Sequence, residues 1–494
     1  MNTLIKNSFI FTAGIILSKA LSLFFIFPFS RLVGALGMSL YSYAYVPFTV
    51  LLDLFSLGIP LGVEKLVAKY NARGMYAQSN RIFKKCLLMM IFLGFLGFLL
   101  MNIMAPLYSK TIGNNEVIEV IRYLSISLLI VPSLAILRGY FQANLKAYAV
   151  SISQLIEQLI RVLIIIASTY LIMNSHKEVI WAVKFSMLGT FFGALSALFF
   201  LIIIFRKQEF HQIGKILKIE YREILSVSLP FAFFGISFSL YQLIDSLSFN
   251  EALKIYGIAD SDYYYGIYSF EVMKLLFIPL ALITGLESSL LPLLIKNKEI
   301  NDNQSLNRNI SLAFSILLYF FIPLSFFMML FSKNIYNLFY HNGGEDILFS
   351  SIILLPFMAA NTLIISMMQG TNLEKYLYKT ISGGIIFKAL TCFLLITRFS
   401  YYGAIISTLG GIMITLFTNL YLLHKNKYIR YQFILNRFNR FTIIAIIGII
   451  ALMIVKWFFP INEYSIFVNF IYLFFNFFVF ALFYYFSLRR MWQS

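Results

Sequence analysis

Residues 85–108 read KCLLMMIFLGFLGFLLMNIMAPLY, with a single charge at Lys85 where the stretch begins. About 20 consecutive apolar residues are enough for a helix to cross the hydrocarbon of a bilayer, and this stretch is long enough. It is also typical of the chain. Of 494 residues 60% are hydrophobic and only 12% charged, with 54 Phe and 31 Tyr against 11 Pro and 2 Cys. Soluble domains carry about twice that share of charge, so too few charges remain to coat a water-facing surface. A cytosolic enzyme, a disulfide-stapled secreted module and a disordered tail are all excluded. The two cysteines, Cys86 and Cys392, lie in or at apolar segments and offer no disulfide framework or metal spacing.

Reading outward from residues 85–108 gives fourteen such stretches: 8–30, 38–62, 85–108, 118–138, 149–173, 180–205, 223–246, 264–292, 308–331, 347–370, 376–397, 400–423, 440–459 and 463–486. The first is longer than a signal-peptide core and lacks a small-residue cleavage site, so it reads as a span. With the N-terminus inside, the inner connections hold 26 Lys and Arg and the outer ones seven. That asymmetry predicts a multi-pass protein of the cell membrane with both termini cytoplasmic. It also accounts for the net charge of +18 without nucleic acid. No connection is long enough for an ATP-hydrolysing domain, and neither a phosphate-cradling G-x-x-x-x-G-K-[ST] run nor an H-E-x-x-H pair occurs.

The chain also repeats itself at an offset of 227: Gly58 falls on Gly285, Lys69 on Lys296, Asn80-Arg81 on Asn307-Arg308, Gln142 on Gln369 and Arg161 on Lys388. Six spans separate the copies, an even number, so both run in the same direction, as in parallel transporter repeats. The expected fold is an all-α polytopic membrane protein of about 14 transmembrane helices. Residues 1–205 form one pseudo-symmetric six-helix lobe, 206–222 a basic linker, 223–425 the second lobe, and 426–494 two further helices with the C-terminus.

Eleven ionisable residues fall within spans. Arg122, Lys184, Asp245 and Glu287 lie near span ends, where a side chain can snorkel to water. Lys19, Asp53, Glu157, Arg161, Glu271, Lys274 and Lys388 lie deeper. At about 2.5–3.5 kcal/mol each on insertion scales, they would together cost on the order of 20 kcal/mol facing lipid. They are expected to face one another or a wet cavity. Glu157 and Arg161 are i,i+4 and Glu271 and Lys274 are i,i+3, so each pair shares a helix face. Lys19 and Lys388 have no acid so placed within their own spans, and Arg31 stands at the outer end of span 1. The small surplus of cations favours a phosphate- or pyrophosphate-bearing substrate over a lipophilic cation.

Two stretches carry a family resemblance: RLVGALGMSLYSYAY at 31–45 and GIPLGVEKLVAKYNARG at 58–74. With GYFQ at 139–142 followed by QLIEQLIRV at 154–162, they resemble the polysaccharide-exporter, MurJ-like flippase branch of the multidrug/oligosaccharidyl-lipid/polysaccharide superfamily, near its stage V sporulation protein B-like group. The resemblance implies a flippase, not an enzyme, that turns an undecaprenyl-pyrophosphate-linked saccharide (lipid II or a capsular repeat unit) across the membrane by alternating access. Lys19, Arg31, Arg161, Lys274 and Lys388 would bind the substrate in a cationic cavity. Asp53, Glu157 and Glu271 would orient those cations or carry a coupling ion, Na+ or H+; no other cofactor or metal is expected. The expected partners are a lipid-linked oligosaccharide, membrane lipid and a cell-wall or capsule polymerase, with no nucleic acid. A cation-coupled multidrug antiporter of the same fold and a membrane-embedded glycosyl- or acyltransferase are the alternatives. The family's first-helix cation is usually arginine, whereas this chain has Lys19, a point charge without the bidentate fork.

Overall fold

Within hydrocarbon a chain must satisfy its backbone polar groups internally, which leaves helices as the solution for single apolar runs. The computed structural model describes residues 17–18, 21, 25–56, 58–144, 146–206, 221–299, 302–429 and 468–478, and no strand occurs among them. Ten helices among the described residues are long and apolar enough to cross a membrane. The chain is therefore an all-α, multi-pass membrane protein. The stretches expected at 8–30, 440–459 and 463–486, and the linker 206–222, fall largely outside the described residues.

The chain divides into two compact units, Met1–Phe270 and Glu271–Ser494. In the first, α1 spans Ile26–Ser56, and Gly34 (φ 64°, ψ −175°) breaks it between the end of the first expected span and the start of the second. Helix α2 is Gly58–Ala72 and α3 is Tyr76–Ile112. Helix α4 (Val117–Ser125) passes through a 3-10 turn into α5 (Val131–Ala143), which opens with Pro132 in its first turn, where proline's missing N–H costs nothing. Helices α6 (Ala147–Asn174) and α7 (Val179–Arg206) form the most extensive pair in this unit.

Helix α8 (Tyr221–Tyr256) packs on both α1 and α2. It runs ten residues beyond the expected end at 246, and this changes the reading of Asp245. That residue is not at a span end free to snorkel but well inside the helix, 5% exposed, and the Tyr268 hydroxyl donates to its Oδ2 at 3.3 Å. Lys184 departs from the expectation likewise: it is buried, paired with Glu119, and its ammonium lies 4.2 Å from the Trp181 ring centroid. Arg122 is exposed.

Helix α9 (Ser261–Gly266) lies against α1. The Tyr43 and Tyr265 rings stack with centroids 4.1 Å apart, and Asn250 Nδ2 joins the Ile112 carbonyl (3.1 Å) to Asp262 (2.6 Å).

In the second unit, α10 (Met273–Glu299) follows a π-helical stretch at Ile267–Val272 that spans the boundary. Helix α11 (Asn303–Ile316) is capped by Asp302, whose side chain accepts from the Ser305 amide at 3.0 Å. A second π stretch, Leu317–Phe321, leads into α12 (Ile322–Leu330). Then come α13 (Ser332–Phe339), α14 (Glu345–Ser351), α15 (Leu354–Gly370), α16 (Leu377–Phe399) and α17 (Tyr401–Lys425), and an apolar helix at Val468–Phe478. Cys86 and Cys392 are both buried, and no disulfide joins them.

The α6–α7 contact depends on two small residues spaced four apart, a spacing that lets helix backbones approach in lipid. A Cβ on Gly193 would sit 2.7 Å from the Glu157 carbonyl oxygen, and one on Gly189 would sit 2.9 Å from that of Arg161. Both obstacles are backbone, so the helices would have to separate. Gly193→Ala should lower the thermal midpoint of the detergent-solubilised protein by the equivalent of about 1–3 kcal/mol of overpacking. Gly383→Ala, whose new methyl would meet only Ile414 Cγ2 at 3.8 Å, should cause no loss.

Candidate functional site

Helix α6 carries Glu157 and Arg161 one turn apart, and α5 brings Arg138 to the same point. Arg161 Nη2 donates to Glu157 Oε1 at 2.5 Å, and Arg138 Nη2 lies 2.8 Å from Glu157 Oε2. Each carboxylate oxygen thus faces its own guanidinium through a single charge-assisted contact. Arg138 Nε donates to Ser153 Oγ at 2.9 Å, which orients that guanidinium from behind. The Glu157 side chain is 10% exposed, and those of Arg138 and Arg161 are 17% and 14%. Two cations share one anion, so the buried cluster keeps a net charge of +1.

Helix α6 also holds spare hydrogen-bonding capacity. Arg161 Nε, Gln154 Oε1 and Gln158 Oε1 are buried, and none has a hydrogen-bond partner among the described residues. The phenols of Tyr41 and Tyr45 lie near the Arg161 guanidinium, and their rings stack with centroids 5.4 Å apart. Beside one excess positive charge, the Arg161 Nε–H and the phenols can donate to an oxyanion, while the Gln154 and Gln158 oxygens of the same helix can accept from hydroxyls, a combination suited to a sugar phosphate.

The remaining expected residues are placed separately. Asp53 is half-buried, with its carboxylate against the Ser239 hydroxyl of α8. Arg31 is exposed. Lys19 lies outside the described residues. In the second unit Glu271 is fully buried in the π stretch; it accepts from the Tyr336 hydroxyl, and Asn342 Nδ2 donates to its Oε1 at 2.6 Å. Lys274 is half-buried on the following turn. Lys388 is fully buried and donates to Thr408 Oγ1 at 2.6 Å across the α16–α17 contact.

Sequence reasoning missed Arg138, Tyr336 and Asn342. Arg138 stood at the edge of an expected span and was counted among the loop cations. Tyr336 and Asn342 meet Glu271 from 65 and 71 residues away, a separation no helical spacing reports. The signal available for Arg138 was its place beside the GYFQ motif at 139–142, only nineteen residues before Glu157.

Residues 4–298, more than half of the chain, match the polysaccharide biosynthesis protein family. The lipid II flippase MurJ of Bacillus subtilis (strain 168) is 27% identical over 482 residues, covering 92% of this chain and 88% of that protein. The stage V sporulation protein B of the same organism is 26% identical over 309 residues, 60% of this chain and 59% of that one. Among solved structures, an inward-facing multidrug-resistance transporter of the MATE family aligns with a TM-score of 0.66 at 12% identity, covering 83% of this chain and 98% of that one. A lipid II flippase MurJ in an inward closed conformation aligns with a TM-score of 0.63 at 16% identity, covering 97% and 99%. At such identities the solved structures establish the fold that these proteins share with this chain. From the matched residues, the helical fold and its ten candidate spans, it follows that the chain belongs to the polysaccharide biosynthesis protein family.

Proposed function

We propose that this protein turns a lipid-linked saccharide, its carrier an undecaprenyl pyrophosphate, from the inner to the outer leaflet of the cell membrane. The observation that supports this most directly is the Arg138–Glu157–Arg161 cluster. Its carboxylate is buried, it carries a net positive charge and leaves a guanidinium N–H unused, and two unpaired glutamine oxygens lie on the same helix. A pyrophosphate supplies the missing negative charge and the acceptor, and a glycan supplies hydroxyls for the amides and phenols. The curated relatives are a lipid II flippase and a stage V sporulation protein, which agrees with that substrate class. No bond is made or broken; the protein alternates between two states, and substrate shifts their populations through its unequal affinity for them.

In this reading Lys19, Arg31, Lys274 and Lys388 are the further cations along the substrate's path, and both termini face the cytoplasm. Asp53 and Glu271 are the carboxylates available to a coupling ion, Na+ or H+. Glu271 suits that role because its described hydrogen-bond partners, a tyrosine hydroxyl and an asparagine amide, are neutral and also oxygen-bearing. A cell-wall or capsule polymerase that consumes the flipped product is the natural partner.

Depletion of the protein should leave lipid-linked precursors in the inner leaflet, read by their accessibility to a membrane-impermeant modifying enzyme. Arg161→Gln should fail to restore sidedness, whereas Arg161→Lys should restore it in part, since the charge survives but the planar fork does not. Normal sidedness in Arg161→Gln cells would end the cationic-site reading.

Glu157→Gln tests the electrostatics without transport. It leaves two guanidiniums unbalanced, and breaking a buried ion pair costs about 3–5 kcal/mol. Adding Arg138→Gln returns the cluster to its original net charge and should recover part of that loss in a thermal melt. Glu271→Gln should abolish the dependence of transport on the Na+ or H+ gradient while leaving substrate binding intact. Unaltered gradient dependence would rule Glu271 out as the coupling carboxylate.

A further inference from the structure

A cavity of about 820 Å³ lies within the second unit, between the start of α11 and the end of α17. That volume falls in the range of pockets that hold drug-sized ligands. Its rim carries Arg308, Lys425 and Lys427, and its wall is formed by Ile310, Phe314 and Ile429. The three cations are exposed, and none has an ion-pair or side-chain hydrogen-bond partner among the described residues.

The turn that closes α17 is built to hold this arrangement. Lys427 takes a left-handed backbone (φ 62°), its amide donates to the His424 carbonyl at 2.9 Å, and the Tyr428 amide donates to the Leu423 carbonyl at 3.0 Å. The His424 ring Nδ1 lies 3.0 Å from the Ile429 carbonyl oxygen, fixing the far side of the turn. The Tyr428 ring is held in turn by the Lys298 ammonium, 5.0 Å from its centroid. Cations and apolar wall are thus presented together.

We propose that this cavity binds an anionic phospholipid, its phosphodiester among Arg308, Lys425 and Lys427 and its acyl chain along Ile310 and Phe314. An inorganic phosphate offers the same oxygens but has nothing to place against the apolar wall. The connection after α17 belongs to the basic-rich set of loops, and such loops meet the leaflet that carries anionic lipid; basic pockets between spanning helices bind phospholipid headgroups there. The site uses none of the residues of the Arg138–Glu157–Arg161 cluster and does not depend on the flippase reading.

The test uses the full-length protein in mixed micelles, with lipid binding counted by native mass spectrometry. Phosphatidylglycerol, phosphatidylcholine and inorganic phosphate are titrated separately. Phosphatidylglycerol should bind and phosphatidylcholine should not, and inorganic phosphate should not compete at equal concentration. The triple variant Arg308→Gln, Lys425→Gln, Lys427→Gln removes only exposed charges, so its melting temperature in phosphatidylcholine should match the parent. Its affinity for phosphatidylglycerol should fall by roughly a hundredfold, as expected from the loss of three basic contacts with an anionic membrane lipid. The double variant Lys254→Gln, Lys333→Gln, altered elsewhere on the surface, should bind as the parent does.

Undiminished binding by the triple variant would overturn the proposal. So would equal losses in the triple and double variants, which would show unspecific charge attraction. Competition by inorganic phosphate would overturn the lipid assignment in favour of a small-anion site.

Discussion

An ion placed in hydrocarbon needs a counter-charge or water beside it, and in the first unit one carboxylate meets that demand for two guanidiniums. Glu157 holds two guanidiniums, one from its own helix and one from α5. The arrangement cannot be built from α6 alone, because Arg138 arrives from another helix. Nor can it survive a bulky neighbour, since α7 approaches α6 so closely that a Cβ on Gly193 would reach the Glu157 backbone. Burial therefore rests on glycine, and charge compensation rests on burial. One positive charge is left over at the cluster.

In the second unit neutral groups also meet the buried ions. Among the described contacts, Glu271 is met by the Tyr336 hydroxyl and the Asn342 amide, and Lys388 by the Thr408 hydroxyl. Glu271 also sits in a π-helical stretch, a distortion that often marks functional positions in membrane and soluble helices.

Much of the fold was legible in the sequence, and what was not had physical causes. The apolar runs gave the helices because their lengths match the bilayer. The i,i+4 spacing of Glu157 and Arg161 put them on one face, and there they meet. The end of α8 was misjudged by ten residues because polarity rises after Asp245 while the helix continues to Tyr256. Asp245 consequently looked terminal and is buried. Lys184 looked able to reach water, but Glu119 and Trp181 hold it in place. Gly34, one glycine among several in its stretch, is the point where the first and second helices part.

The sequence by itself determined that the chain lives in a membrane, roughly how many times it crosses, and which charges could share a helix face, because those properties follow from composition, length and a period of 3.6 residues. Only the tertiary structure decided which charges meet between helices: Arg138 with Glu157, Glu119 with Lys184, Tyr336 and Asn342 with Glu271. A helix in lipid is apolar on its outer side as well as its inner one, so periodicity does not reveal how it is turned towards its neighbours. That rotation is set by where glycines allow close approach and where buried ions find partners, and both depend on residues far apart in the chain.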